Sequence, residues 1–333
     1  MSSTILVSGG AGYIGSHACL ALRDAGFTPV AIDNLSQGHE WAVKFGPLRQ
    51  GDIGDEDFVR GVCAEFKPAA LMHFAAFIEV GESVQNPAKY WDNNFERAKK
   101  LFAAARAGGI RHAVFSSTAA VYGMPDISPL TEDLPLKPIN PYGETKLAAE
   151  QALREMADMK SVALRYFNAA GAAAEEGIGE AHWPESHLLP NVILAALGHK
   201  PAITVFGTDY PTPDGTAVRD YVHVRDLAEA HVAALRYLLG GGESTVCNLG
   251  TGKGYSVKEV IDEVQNRVGG PVPAEYGPRR AGDPPALVAN AEKAGRLLGW
   301  KPGRPLGDIV ASALAWHRGQ RYREAVLDVR LPS

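Results

Sequence analysis

Short apolar runs rich in β-branched residues recur along the first half of the chain, at residues 4–7, 29–32, 48–53, 69–74, 113–117 and 161–168. Glycine or polar residues break each run. Between them lie longer stretches with helical spacing: one reaches about Ala25 and is stopped by Gly26, one opens at Asn93 and Asn94 and continues through Ala107, and one begins near Pro141. Runs this short and this continuously apolar suit strands buried on both faces. Their alternation with helices predicts an α/β fold with a doubly wound parallel sheet, whose ligands bind beyond the carboxyl ends of the strands. After residue 168 the pattern changes. Residues 172–190 are rich in Ala, Glu, Gly and Pro, a loop and a natural boundary between a first domain over 1–175 and a smaller α/β domain over 176–333.

Composition narrows the partners. The chain has 333 residues, 46% hydrophobic and 21% charged, an ordinary soluble globular balance with room for a large core. A formal charge of -5 argues against nucleic acid or an anionic membrane as the main partner and favours a small molecule. The three cysteines, Cys19, Cys63 and Cys247, are far apart and show neither paired nor metal-ligand spacing, so a reducing, cytoplasmic setting and no metal are expected. Residues 1–4 carry no signal-peptide pattern, and no apolar run approaches the ~18 residues of a membrane span.

The chemistry begins at the first strand break. Gly9, Gly12 and Gly15 form a G-x-x-G-x-x-G pattern between a strand and a helix, where glycines let a pyrophosphate approach the free N–H groups of a helix N-terminus. Asp33 ends the second run, 18 residues beyond Gly15, where a carboxylate binds an adenosine ribose diol and repels a 2′-phosphate. The combination predicts a Rossmann-type domain that prefers NAD to NADP. Asp52 reads equally as an adenine neighbour or as a helix N-cap before Asp55, and His73 as a core or strand-end residue. Tyr142 and Lys146, four apart near a helix start, share one helix face. A neighbouring ammonium favours phenolate, so the pair offers a general base. With 11 Tyr and 13 Lys, chance alone supplies roughly 0.4 such pairs, so the spacing counts only in context. That context is Thr118, just past the fifth run, which brings a hydroxyl to the same sheet edge.

These features together carry a resemblance: the glycine loop, residues 33–36 (DNLS), Asp52 with Ile53, residues 73–76 (HFAA), residues 116–123 (SSTAAVYG) and Tyr142-x-x-x-Lys146. The chain resembles the extended short-chain dehydrogenase/reductases and, within them, the UDP-glucose 4-epimerase branch, nearly from end to end. Residues 206–224 and the stretch 278–284 (PRRAGDP) match that branch closely. The resemblance implies a tightly held NAD, a UDP-hexose substrate interconverted between gluco and galacto forms at carbon 4, and a homodimer. It also implies that the strand near 246–250 returns to the first domain. The catalytic groups are then Tyr142 as base, Lys146 as the residue that lowers its pKa, and Thr118 as a relay. Cofactor contacts fall on Gly9, Gly12, Tyr13, Ile14, Asp33, Asn34, Ser36, Asp52, Ile53, Phe74, Ala75, Ala76, Asn94, Ser116, Tyr142, Lys146 and Tyr166. Substrate contacts fall on Thr118, Tyr142, Asn168, His187, Leu188, Phe206, Arg219, Arg280, Asp283 and Leu287.

In physical terms Arg219 and Arg280 offer planar forks to phosphate, Phe206 a ring face to uracil and Asp283 an acceptor to ribose. Out of context, Arg279 and Arg280 would read as a solvated surface pair. His223 and His231 read as structural. Three departures from the family stand out: Thr118 in place of a common serine, Phe77-Ile78-Glu79 where some members carry a lysine, and Leu287 at a position that gates N-acetylated sugars. Leucine is intermediate there and leaves N-acetylhexosamine use open. His187 stands where some relatives have an asparagine. Rival readings are epimerases of UDP-pentoses or UDP-hexuronic acids, an NAD-sensing regulator, and a nucleotide-sugar 4,6-dehydratase. The dehydratases follow the active-site threonine with an acid pair, whereas Thr118 precedes Ala119 and Ala120.

Overall fold

The computed structural model describes residues 3–280 and 283–330; Ala281 and Gly282 of the 278–284 stretch lie outside the described residues. Seven strands form the central sheet: β1 (Thr4–Ser8), β2 (Thr28–Asp33), β3 (Leu48–Gln50), β4 (Ala70–His73), β5 (His112–Thr118), β6 (Lys160–Tyr166) and β11 (Thr245–Leu249). All pair in parallel, in the order β11-β6-β5-β4-β1-β2-β3. Alternate residues of each strand feed opposite layers, as period-two geometry requires. Ile5 and Val7 on β1 pack with Met72, Val114, Leu164 and Cys247 against α1 (Tyr13–Asp24) and α6 (Val224–Leu239). Leu6 points the other way, with Ile32, Leu71 and Phe115, onto α2 (Glu56–Phe66), α3 (Arg97–Ala107) and α4 (Pro141–Glu155). Both faces of the sheet are therefore buried, and the doubly wound parallel arrangement follows.

The rest of the chain contributes short strands and a third helical layer. β7 (Asn168–Ala170) pairs with β10 (Tyr221–His223), β8 (Ile203–Phe206) with β13 (Ala274–Gly277), and β9 (Val218–Arg219) lies between β12 (Tyr255–Ser256) and β14 (Ala286–Leu287). Around them α5 (Leu188–Ala196), α7 (Val257–Val268) and α8 (Leu306–Arg318) share one apolar cluster that includes Val192, Val260 and Ile309.

Three local expectations are corrected. The third strand stops at Gln50, because the Asp52 carboxylate accepts the Gly54 N–H at 2.7 Å and turns the chain; Asp55, not Asp52, caps α2. The helical run that leads into α3 starts at Pro87 rather than at Asn93, and Trp91–Glu96 form a π-helical stretch that carries Asn94 inward before α3 begins. The sixth strand ends at Tyr166, so that Asn168 opens β7 instead of closing β6.

A buried ion pair ties α4 to the sheet. Glu150 and Arg165, 8% and 3% exposed, meet through two bonds of 2.6 and 2.9 Å. Ser117 of β5 donates to the same carboxylate, and Arg165 donates to the Tyr122 hydroxyl at 3.1 Å. Tyr122 in turn donates to Asn248 of β11 at 2.7 Å. Removing one charge strands the other in a dry interior, which typically costs about 3–5 kcal/mol. Glu150→Gln is expected to lose stability on that scale in urea denaturation, and the apolar double change Glu150→Leu with Arg165→Met to recover part of it. A loss below about 1 kcal/mol in the single variant would show that solvent reaches the pair.

Candidate active site

The carboxyl end of β5 and the amino end of α4 meet. The Asn140 side chain accepts the Gly143 N–H at 2.8 Å and Pro141 occupies the first turn, so the helix begins sharply and Tyr142 and Lys146 sit one turn apart. Lys146 is 3% exposed and its Nζ donates to the Ser116 carbonyl at 2.9 Å. Burial pulls its pKa down to about 8, with Glu150 opposing. Thr118, the last residue of β5, hydrogen-bonds Tyr142 and also accepts the Ala120 N–H at 3.1 Å. Ser116 and Tyr166 share a short hydroxyl contact. The structure thus gathers Ser116, Thr118, Tyr142, Lys146 and Tyr166 at one place.

One electrostatic expectation is corrected. The pKa of Tyr142 is raised, not lowered: burial of the phenol dominates, Glu79 adds to it, and the Thr118 hydrogen bond opposes it. The Lys146 ammonium, engaged with a carbonyl and itself desolvated, does not offset this. Glu79 is the residue that sequence reasoning left without a role. It precedes the short helix Val80–Gln85, accepts from the Ser186 hydroxyl at 2.9 Å and adds negative charge beside Tyr142. Its place in the loop after β4 was the available signal.

Around the glycine loop the donors and the shape suit a dinucleotide. Gly9 has φ +74° and a Cβ there would lie 2.5 Å from the Ala75 nitrogen; one on Gly15 would lie 2.0 Å from the Gly9 carbonyl. These two glycines therefore serve the loop's own packing. Gly12 caps α1 without a side-chain oxygen, so the N-terminal N–H groups at Tyr13 and Ile14 are not met by a side-chain cap. The Tyr13 hydroxyl itself is used elsewhere, donating to the Gly171 carbonyl at 2.6 Å. Asp33, 8% exposed, accepts the N–H groups of Ala11 and Leu35 at 3.0 and 2.9 Å, which fixes its carboxylate beside the loop. Asn34 accepts the Ser36 N–H at 3.0 Å and reaches Asp52, which pairs with Arg97. Ile53 is buried in the sheet's second layer, and Phe74 packs its ring on His231 with centroids 4.7 Å apart. Asn94 spends its amide on Phe77, donating at 2.9 Å and accepting at 2.8 Å, and so shapes the loop that holds Ala75 and Ala76 rather than facing outward.

The groups expected to grip substrate form a second gathering. Arg219 pairs with Asp283 and donates to the Val218 carbonyl at 2.7 Å. The Arg280 guanidinium lies 4.0 Å over the Phe206 ring, while Arg279 turns away to Asp209 and Tyr210. The two neighbouring arginines therefore separate, and Arg280 is the one beside the predicted uracil contact. Leu287 stands opposite Arg219 in register and packs with Val121 and Tyr122, just past Thr118. Asn168 donates to the Asp220 carbonyl at 3.4 Å. His187 and Leu188 start α5, where His187 bonds Glu180 at 2.6 Å. His73, His223 and His231 are structural: His73 bonds Ser8 at 2.6 Å, His223 accepts the Arg225 N–H as a helix cap, and His231 meets the Leu227 carbonyl.

Comparison with known proteins gives a consistent result. The profile of the NAD dependent epimerase/dehydratase family matches residues 5–250. A UDP-glucose 4-epimerase of Rhizobium meliloti (strain 1021) is 54% identical over 319 residues, 95% of this chain and 97% of the relative. The crystal structure of UDP-glucose 4-epimerase from Brucella ovis in complex with NAD superposes with a TM-score of 0.92 at 44% identity, covering 94% of this chain and 98% of that one. That of the Stenotrophomonas maltophila enzyme, with bound NAD and formylated UDP-arabinopyranose, has a TM-score of 0.92 at 41% identity, covering 95% and 98%.

The depressed Lys146 pKa has a measurable consequence. Between about pH 8 and the ordinary lysine value of about 10.4, the unfolded chain binds a proton at this position that the folded chain has released. Stability therefore rises with pH across that window, by up to about 1.4 kcal/mol per pH unit from this group. The difference in unfolding free energy between the protein and Lys146→Met, measured without added nucleotide, should grow from pH 8 to 10. A flat difference would mean that Lys146 keeps its ordinary pKa.

Proposed function

We propose that this chain, which belongs to the NAD dependent epimerase/dehydratase family, interconverts UDP-glucose and UDP-galactose by oxidation and re-reduction at carbon 4 of the hexose. The observation that carries this reading is the convergence of Thr118, Tyr142 and Lys146 at the carboxyl end of β5, within the same fold as the glycine loop and Asp33. When bound, oxidised NAD supplies a hydride acceptor at carbon 4 and a positive charge beside Tyr142. Tyr142 takes the proton of the 4-hydroxyl and later returns it to the same oxygen, after the sugar has turned its other face to the site. Thr118 orients that hydroxyl through its contact with the phenol. Lys146, fixed by the Ser116 carbonyl, holds a cationic donor in reach of the nicotinamide ribose. No net redox change results.

Arg219 and Arg280 bind the pyrophosphate, Phe206 the uracil and Asp283 the ribose, with Asn168, His187 and Leu188 along the nucleotide. The NAD side is held by the glycine loop with Tyr13 and Ile14, by Asp33, Asn34, Ser36, Asp52 and Ile53 at the adenosine, and by residues 74–76, Ser116 and Tyr166 nearer the nicotinamide. Asn94 acts on it through the loop it shapes. Residues 1–175 with β11 form the cofactor domain, and the remainder of the chain forms the UDP-sugar domain. A cytoplasmic homodimer completes the reading; the three cysteines are free and buried, and among the described residues no helix is long and apolar enough to cross a membrane. A dehydratase is disfavoured because Ala119 and Ala120, in the turn after Thr118, offer no acid to expel water.

Pure protein given UDP-galactose should form UDP-glucose without added NAD, followed by product chromatography; no conversion even with NAD supplied would reject the reading. Tyr142→Phe should keep its NAD and lose roughly 10²–10⁴-fold in turnover, the usual scale for a positioned proton acceptor. Near-full activity would remove Tyr142 as base. Leu287→Tyr should impair UDP-N-acetylglucosamine turnover more than that of UDP-galactose, and equal losses in kcat/KM on the two would remove position 287 as a gate.

A further inference from the structure

A second set of chemistry-bearing side chains lies in the segment that leads into α5. Residues 180–187 read Glu-Ala-His-Trp-Pro-Glu-Ser-His. The chain folds there so that Glu180, His182, Glu185 and His187 each offer one donor atom, and the four atoms all lie within 4.8 Å of one another. His187 Nδ1 is 2.6 Å from a Glu180 oxygen and 3.4 Å from a Glu185 oxygen, and His182 Nδ1 is 3.1 Å from the same Glu180 oxygen. Both carboxylate side chains are only 4% exposed. Among the described residues no lysine or arginine pairs with either of them; their ion-pair partners are the two imidazoles.

The segment is held from outside the cluster. The Glu180 carbonyl accepts the Trp316 indole N–H at 2.7 Å, and the Ala181 carbonyl meets the His39 ring at 2.9 Å. Asn191 donates to the carbonyls of Glu185 and His187 at 3.2 and 2.8 Å. These contacts fix the backbone without using the donor atoms, and the Glu185 oxygen that faces His187 is further held by the Ser186 and His187 N–H groups, each at 2.8 Å.

Two imidazole nitrogens and two carboxylate oxygens make a donor set that suits a divalent transition ion. Calcium and magnesium favour oxygen alone, whereas zinc and its neighbours accept imidazole with carboxylate. Ligand bonds of about 2.0–2.2 Å in a tetrahedron place donors about 3.4 Å apart. Three of the six separations, 2.6, 3.1 and 3.4 Å, lie near that value and none exceeds 4.8 Å, so an ion requires the His187 to Glu180 contact to open and any wider pair to close. We propose that Glu180, His182, Glu185 and His187 bind one divalent ion of the zinc type. Four protein ligands close the coordination shell, so the ion is a structural clamp and not a catalytic centre. It fixes the start of α5 against α1, because the His182 ring packs edge-on against Tyr13, beside the glycine loop, with centroids 6.3 Å apart. The clamp does not depend on the activity proposed above.

The test uses the full-length protein with any affinity tag removed. It is loaded with zinc, dialysed against metal-free buffer and assayed by mass spectrometry of the metal. About one zinc per chain should be retained, and the thermal midpoint should rise by several degrees over the chelator-treated protein. Cobalt substituted at the site should give a tetrahedral visible spectrum without a thiolate charge-transfer band, which separates these ligands from the three cysteines. His182→Gln and Glu185→Gln should each lose most of the retained metal while keeping the metal-free circular dichroism of the parent. Less than about a tenth of an equivalent retained by the parent protein, a thiolate band, or retention unchanged in both variants would overturn the proposal. Should either variant fail to fold, the stoichiometry and the cobalt spectrum of the parent still decide.

Discussion

The buried pair of Glu150 and Arg165 sets the orientation of the helix on which the chemistry depends. Tyr142, Lys146 and Glu150 are spaced i, i+4, i+8, so they lie along one face of α4, spanning about 12 Å of its axis. A two-bond grip on Glu150 from β6, with a third from Ser117 on β5, leaves that face one rotation about the helix axis. Tyr142 and Lys146 are then delivered to the carboxyl end of β5 and nowhere else. Buried ion pairs often add little net stability, since desolvation consumes much of their attraction. The contribution of this one is directional: it adds fixed bonds to the apolar packing of Ala149 and Leu153 on the same helix.

Burial also sets the direction of both pKa shifts at the proposed reaction centre. Desolvation disfavours whichever form of a group is charged, so it raises the Tyr142 phenol and lowers the Lys146 ammonium. Both shifts work against a phenolate beside an ammonium, and Glu79 adds a further negative influence on the phenol. A positive charge brought into the same pocket, such as that of an oxidised nicotinamide, opposes both influences on the phenol and favours the phenolate.

Features written in local pattern were legible in the sequence, and features written in long-range contacts were not. The parallel sheet followed from short apolar runs, and the nucleotide loop from Gly9, Gly12, Gly15 and Asp33, because strand burial and tight turns act on neighbouring residues. The end of β3 at Gln50 depends on the Asp52 side chain, a local signal that was available but ambiguous. The π-helical stretch around Asn94 depends on Phe77, 17 residues away, and no periodicity encodes it. The i, i+4 spacing of Tyr142 and Lys146 correctly placed both side chains but gave the wrong sign for the phenol's pKa, since spacing carries no information on depth. The donor cluster of residues 180–187 was missed because its members were weighed singly, His187 as a nucleotide contact and the rest as loop.

On the proposed substrate side, the backbone fixes the register of Leu287 and Arg219 independently of the side chain at position 287. β14 is held against β9 by backbone bonds, Val218 N–H to the Pro285 carbonyl at 2.8 Å and Asp220 N–H to the Leu287 carbonyl at 3.1 Å. Those bonds set the register that puts Leu287 opposite Arg219, and they do not involve the Leu287 side chain. Asp220 anchors the same edge by accepting from Thr251, Gly252 and Ala289. A different side chain at position 287 therefore changes the packing against Val121 and Tyr122 without breaking the backbone bonds that hold β14 beside Arg219. Tyr122 is itself bonded to Arg165, so the cluster that Leu287 packs against belongs to the network that orients α4. If position 287 gates the sugar as proposed, a change there reaches α4 only through Tyr122, whereas the backbone register that holds Arg219 is left intact.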